Sequence, residues 1–154
     1  MSILICYDGS PSARRALDVA AHTLGGTPAV LLHVWNPPER IIADAFGVGV
    51  HEHAPTYEHL EDLSRQRAGE VLADGLTLAE QLKLSVTSRL ERDDSTVWKT
   101  IIRVADELTS EVIVCGTHGS AAVESDLLGS VSNALAHHSR RPVLIVPSAP
   151  RTPG

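Results

Sequence analysis

A doubly wound α/β fold, an open parallel sheet of five strands with helices on both faces, is the class this 154-residue sequence predicts. Three observations carry it. Short, almost wholly apolar runs alternate along the chain with longer segments of helical period, as in chains built of strand-helix-strand units. The runs are continuous in apolar residues where half-exposed strands would alternate, as in Ile3-Leu4-Ile5-Cys6 and Val112-Ile113-Val114-Cys115, so each is expected to be covered on two faces. Glycine turns follow the first and fourth runs, at Asp8-Gly9-Ser10 and at Gly116-Thr117-His118-Gly119.

The first strand is expected from Ser2 to Tyr7. Ser10 followed by Pro11 reads as a helix cap and first helical position, and Ala13, Ala16, Leu17, Ala20, Ala21 and Leu24 then recur at helical spacing until Gly25-Gly26. Ala29 to Trp35 is the second strand, stopped by Asn36-Pro37-Pro38, and Asn36 to Pro55 reads as a long, partly ordered loop. Tyr57 to about Lys83 is a long helix whose inward stripe is Leu60, Leu63, Ala68, Val71, Leu72, Leu76 and Ala79, weakened by Gly69 and Gly75. Leu84 to Leu90 is the third strand. Asp94 or Ser95 is expected to cap the next helix, with Val97, Trp98, Ile101, Ile102, Ala105 and Leu108 on one face. The fourth strand, a helix from Ser130 to about Ser139 and a fifth strand within Arg141 to Pro147 follow. Residues 1–148 thus read as one domain and 149–154 as a flexible tail.

Charge and composition exclude several functions. A net charge of −6 and a pI near 5.7 repel nucleic acid and anionic membranes, so any anion must be held by local amides. No apolar run approaches the roughly 20 residues that span a bilayer, and the chain carries no basic-then-apolar leader, so a cytoplasmic protein is expected. Cys6 and Cys115 fall within strands and read as two small buried hydrophobes. His51, His53 and His59, or His137 and His138, offer no spacing that fixes a third metal ligand, so no metal site is expected.

The chemistry lies between the fourth and fifth strands. Gly116, Gly119, Gly129 and Ser130 space as G-x2-G-x9-G-S between a strand and a helix start. Glycine lets backbone amides approach an anion closely, and the first turn of a helix presents unpaired N–H groups at its positive end. This loop, with Ile3 to Ser10 at the front, Leu32-His33-Val34 and Arg141 to Pro147, resembles the universal stress protein family, in particular its ATP-binding branch. The resemblance covers nearly the whole chain. It implies an adenine-nucleotide α-hydrolase-like sheet of order 3-2-1-4-5, which puts the reversal of winding between the first and fourth strands, where open α/β sheets bind ligands. It further implies that Asp8 accepts from ribose, that the main chain of Val34 contacts adenine, and that Cys115, Thr117 and His118 line the loop. Gly116, Gly119, Gly129, Ser130, Val131 and Ser132 would wrap the phosphates of ATP, accompanied by Mg²⁺, with the Ser130 and Ser132 hydroxyls adding bonds. Homodimers would form through Val143 to Val146, the last strand.

Two departures bear on affinity. Ser120 stands where the family loop often has a basic residue, and Glu124 and Asp126 add negative charge to the same loop. With no G-x4-G-K-[ST] motif and no lysine from Cys115 to Ser132, the site is not built for efficient phosphoryl transfer. The expected function is a nucleotide-dependent switch in the stress response, read by a regulatory protein partner and hydrolysing ATP slowly at most. The alternative is a dimeric interaction protein of the same family that binds no nucleotide.

Overall fold

In the computed structural model of the chain, residues 2–38, 54–119 and 128–149 are described, the side chains of 54–57 excepted. Most of the expected loop from Asn36 to Pro55, with His51 and His53, lies outside them, as do Ser120, Glu124, Asp126 and the tail from Pro150. The described elements are β1 (Ile3–Cys6), α1 (Pro11–Thr23), β2 (Ala29–Trp35), α2 (Ala54–Gln81), β3 (Val86–Arg92), α3 (Val97–Glu107), β4 (Val112–Gly116), α4 (Ser130–His138) and β5 (Val143–Val146). The strands form one parallel sheet in the order β3-β2-β1-β4-β5, the order the resemblance implies. Ile3 stands opposite both Ala29 and Val112, so β1 is paired on both sides, and its Ile3, Leu4 and Ile5 are buried in the core.

Two apolar layers sandwich the sheet. Ile3, Ile5, Leu31 and Val114 pack with Ala13, Ala16, Leu17 and Ala20 of α1 and with Leu72 and Ala79 of α2. On the opposite face Leu4, Leu32, Ile113 and Cys115 pack with Ile101, Val104 and Ala105 of α3 and with Leu135 of α4. Adjacent residues of one strand fall into different layers, as the two-residue period of a strand requires. Each fully buried Leu or Ile removed from water stabilises the fold by about 1.5–3 kcal/mol.

The local signals worked where the chain itself supplies the partner. Ser10 caps α1, its Oγ accepting from Ala13 N–H at 3.2 Å, with Pro11 behind it, and Gly26 at φ +89° leads the chain away beyond the helix end. Four expectations change. Leu60 and Leu63 are 37% and 40% exposed, so the inward stripe of α2 begins at Ala68. A 28-residue helix is about 42 Å long against roughly 23 Å for a seven-residue strand, so its first turns outrun the sheet. The third strand runs from Val86 to Arg92, two residues later than expected, because Lys83 turns left-handed at φ 57° and Leu84 N–H bonds back to Ala79 O at 3.0 Å. Thr96, not Asp94 or Ser95, is the cap residue of α3, while the buried Asp93 accepts from Ser95 N–H at 3.0 Å in a turn just before it. Gly75, read as a weak point in α2, is instead a contact. A Cβ there would lie 2.8 Å from both Leu31 Cδ2 and Tyr7 Cδ1, so its absence lets the helix lie against the sheet.

The outer strand β3 carries charge. Arg89 meets Glu91 at 2.6 Å and Glu107 at 2.5 Å, and Arg103 meets Glu91 at 2.8 Å and Glu107 at 2.6 Å, a closed ring of two cations and two anions. Among the described residues, no helix is long and apolar enough to cross a membrane.

Candidate functional site

At the carboxyl ends of β1, β2 and β4 the sheet opens into a cleft of about 340 Å³. Asp8, Val34, Cys115, Gly116, Thr117, His118, Gly119, Gly129, Ser130, Val131 and Ser132, the residues expected from the sequence, all border it. The cleft lies where β1 and β4, adjacent in the sheet, send their following helices to opposite faces. Its walls mix apolar side chains, Leu32, Val34, Ile101 and Val131, with backbone polar groups.

The loop after β4 is tied down by short bonds. Thr117 N–H continues the ladder to Val146 O at 3.0 Å, and Thr117 O accepts from Gly129 N–H at 2.7 Å, which brings the far end of the loop back beside its start. His118 O accepts from Ser12 Oγ at 2.7 Å, on the first turn of α1, and from Ser10 Oγ at 3.2 Å, at its cap. Thr117 Oγ1 lies 3.0 Å from His118 Nδ1. The glycines permit close approach. A Cβ on Gly116 would lie 2.7 Å from Ser12 C and 2.8 Å from Ala13 N, and one on Gly129 would lie 2.8 Å from Thr117 O. Both glycines therefore have a packing reason of their own.

Gly129 is the cap residue of α4 and supplies no side chain to its first turn. The first helical bond is Asn133 N–H to Gly129 O at 2.9 Å, so the amides of Ser130, Val131 and Ser132 precede it and have no intrahelical acceptor. Three donors and the positive end of a helix thus border the cleft. The Ser132 side chain takes a different part from the one expected. Its hydroxyl is buried and gives its hydrogen to Thr117 O at 2.8 Å, so it braces the loop and has no proton left for an anion.

On the opposite side stands β2. In a parallel sheet the backbone groups of successive residues point to alternate neighbours. Leu32 O accepts from Tyr7 N–H at 2.8 Å, and Trp35 O accepts from Asp93 N–H at 2.9 Å, so even-numbered residues here face β1 and odd-numbered ones face β3. Val34 N–H and C=O therefore point toward the line of β1, beyond Cys6 where β1 has ended. Asp8 sits between the two sides. Its Oδ1 accepts from Ser10 N–H at 2.9 Å in a turn, and its Oδ2 lies 3.2 Å from where a Cβ on Gly119 would be.

The thiols do not ionise near neutral pH. Burial pushes Cys115 up to about 11, and burial, then the neighbouring Cys115 and Asp8, raise Cys6 well above its ordinary value. Both cysteines are free. Burial lowers the His33 imidazole below its usual value, against a bond to the Tyr7 carbonyl and the Asp8 charge. Tyr7, His33, Leu32 and Ile101 border the cleft without having been read as site residues in the sequence. Their signal was position alone, one step past β1, midway along β2 or one turn inside α3, and that requires knowing which strands are neighbours.

The model of the universal stress protein family matches residues 1–147. The chain belongs to that family. It is 30% identical over 150 residues to a universal stress protein of Mycolicibacterium smegmatis, a match that covers 95% of this chain, which spans only 45% of that protein's length. It is 30% identical over 152 residues to universal stress protein YxiE of Bacillus subtilis, covering 94% and 97% of the two chains. Among solved structures, UspA of Lactobacillus plantarum superposes with a TM-score of 0.74 at 17% identity, covering 95% and 97%. The Archaeoglobus fulgidus universal stress protein in complex with dAMP gives 0.63 at 21%, covering 95% and 97%. A family protein of Arabidopsis thaliana with AMP bound gives 0.64 at 14%, covering 97% and 92%. At such identities the likeness to these structures is one of fold.

Proposed function

We propose that this chain is a regulatory protein that binds an adenine nucleotide in the cleft, with ATP and Mg²⁺ as the full ligand. One observation carries the reading: two sets of main-chain groups on either side of β1, Val34 N–H and C=O on β2 and the first-turn amides of α4 after β4. Two strand spacings separate β2 from β4, about 10 Å, which suits a base at one end and phosphates at the other. Leu32, Val34, Ile101 and Val131 offer the base an apolar slot, and Asp8 between them suits a ribose. The fold-mates with dAMP and AMP bound support the same reading.

Gly119, Ser130 and Val131 would hold the phosphates with main-chain donors, Gly116 and Gly129 would let the chain pass close to them, and Ser132, Thr117 and His118 keep that loop in place. Charge-assisted bonds contribute about 1.5–3 kcal/mol each, so a few give micromolar affinity. Mg²⁺ neutralises phosphate charge, and it would arrive on the nucleotide, since among the described residues no group of three His, Cys, Asp or Glu is set to hold a metal. Binding alters a surface beside the glycine loop that a partner protein reads, with slow hydrolysis at most. We place the protein in the cytoplasm as a homodimer joined through Val143 to Val146, with residues 1–148 folding as a single unit. The nucleotide-free dimer is the second reading, favoured by the packing reasons that Gly116 and Gly129 already have.

Titration calorimetry with Mg-ATP and with AMP, alongside the absorbance ratio of freshly purified protein, tests this. Micromolar heat from Mg-ATP is expected, with AMP weaker. Silence from both at millimolar concentration would hand the case to the nucleotide-free dimer, and equal affinities would remove the part assigned to the outer phosphates. Sedimentation at low and high concentration decides the dimer.

A further inference from the structure

In a parallel ladder, the rung after Tyr7 N–H to Leu32 O runs from Val34 N–H to the Tyr7 carbonyl. Among the described residues that rung is not formed. The Tyr7 carbonyl instead lies 2.7 Å from Nδ1 of His33. A carbonyl can only accept, so Nδ1 carries the hydrogen, and a neutral ring then has its lone pair on Nε2. His33 and Tyr7 both border the cleft, and the main-chain groups of Val34 point to the gap beyond β1.

Taking the nucleotide reading of this cleft as its basis, we propose that His33 is a positioning residue for the ligand. By satisfying the Tyr7 carbonyl from its own side chain, it removes the need for the next backbone rung and keeps Val34 N–H facing the cleft as a donor for the base. A part-buried carbonyl must find a donor somewhere. Without the imidazole, the nearest in register is Val34 N–H, and the donor meant for the ligand is consumed in extending the sheet. Burial keeps the ring neutral at neutral pH, so the device adds no charge to an apolar slot, and Asp8 is the charged group near it on the β1 side. The arrangement is a side chain of one strand standing in for that strand's own next amide.

Two substitutions separate this role from a merely structural one. His33→Leu removes the donor, whereas His33→Asn retains an amide N–H at nearly the reach of Nδ1. In the ligand-free protein, hydrogen exchange of the Val34 amide is expected to be fast in the wild type, to slow at least tenfold in H33L, and to stay fast in H33N. Affinity for AMP and for Mg-ATP is expected to fall about tenfold in H33L and to stay within about twofold of wild type in H33N. Val34 exchange unchanged in a folded H33L, or H33N behaving as H33L, overturns the proposal. If H33L does not fold, the wild type still decides: two-dimensional NMR of the imidazole nitrogens is expected to show the hydrogen on Nδ1, and a hydrogen on Nε2 alone overturns the proposal. Should the wild type bind no nucleotide, the functional reading fails, but Val34 exchange in the ligand-free variants still tests His33.

Discussion

Replacing Gly116 by alanine should destabilise the fold even with no ligand present. The added Cβ would meet Ser12 Oγ, Ser12 C at 2.7 Å and Ala13 N at 2.8 Å. Those two backbone distances fall about 0.6–0.7 Å short of the 3.4 Å at which ordinary contact begins. Ser12 Oγ cannot simply rotate away, because it holds His118 O at 2.7 Å, and backbone atoms at the start of α1 move only with the helix. Ala13, Ala16, Leu17 and Ala20 anchor that helix in the core, so β4 and α1 must part against close packing. Overpacking of this kind costs about 1–3 kcal/mol. For a chain of this size that lowers Tm by roughly 3–10 °C. Urea titration and a thermal melt measure it, and Gly69→Ala is the internal control. Gly69 lies within α2 with nothing inside 4 Å of its would-be Cβ, so alanine there should raise stability by about 0.5–1 kcal/mol. If Gly116→Ala melts within about 1 °C of wild type, β4 and α1 are not held at the distance described and the packing account of this glycine is wrong.

Two other outcomes follow from the charged contacts. Tyr7 donates its hydroxyl to Asp74 at 2.5 Å, and that bond, then Arg14, holds the Asp74 carboxyl below its ordinary value. Tyr7→Phe should return the Asp74 titration toward about 4 while costing about 1 kcal/mol or less, since Asp74 is 45% exposed and keeps Arg14; a carboxyl titration followed by NMR that does not move would refute the bond. At Glu91 burial raises the pKa, but bonds from Arg103 and Arg89 outweigh it and leave the carboxyl below its usual range. A depressed acid stabilises the folded state fully above its unfolded value of about 4.3 and loses that stabilisation as pH falls through the lower folded value. Chemical denaturation between pH 7 and pH 3 should therefore fall less steeply in Glu91→Gln than in wild type, and parallel curves would show the ring to be energetically idle.

Much of this molecule was legible from residue order alone. Strand periodicity, the Ser10-Pro11 start and the glycine spacing each reflect chemistry settled within a dozen residues, and Ser10, Gly116, Gly119, Gly129 and Ser130 all border the cleft. What escaped depends on neighbours distant in the chain. His33 looks like any polar residue of a strand until the pairing of β1 with β2 brings the Tyr7 carbonyl to its ring. Ser132 looks like a phosphate ligand until the loop folds back and Thr117 O claims its hydrogen. Leu60 and Leu63 continue a helical stripe faithfully, yet the sheet ends before it reaches them. Hydrophobic period reports which face of an element is apolar, not how far the opposing surface extends.

The two margins of the sheet are unlike, and that has a consequence for assembly. Along β3, Arg89 and Glu91, interlocked with Arg103 and Glu107 of α3, would have to shed partners and water before another chain could lie alongside. Along β5, Val143, Leu144, Ile145 and Val146 bring no such toll. Stacking copies without limit needs two receptive borders per molecule, and among the described residues only β5 is of that kind, so sheet extension through β5 is expected to stop at a pair and not to grow into a fibre.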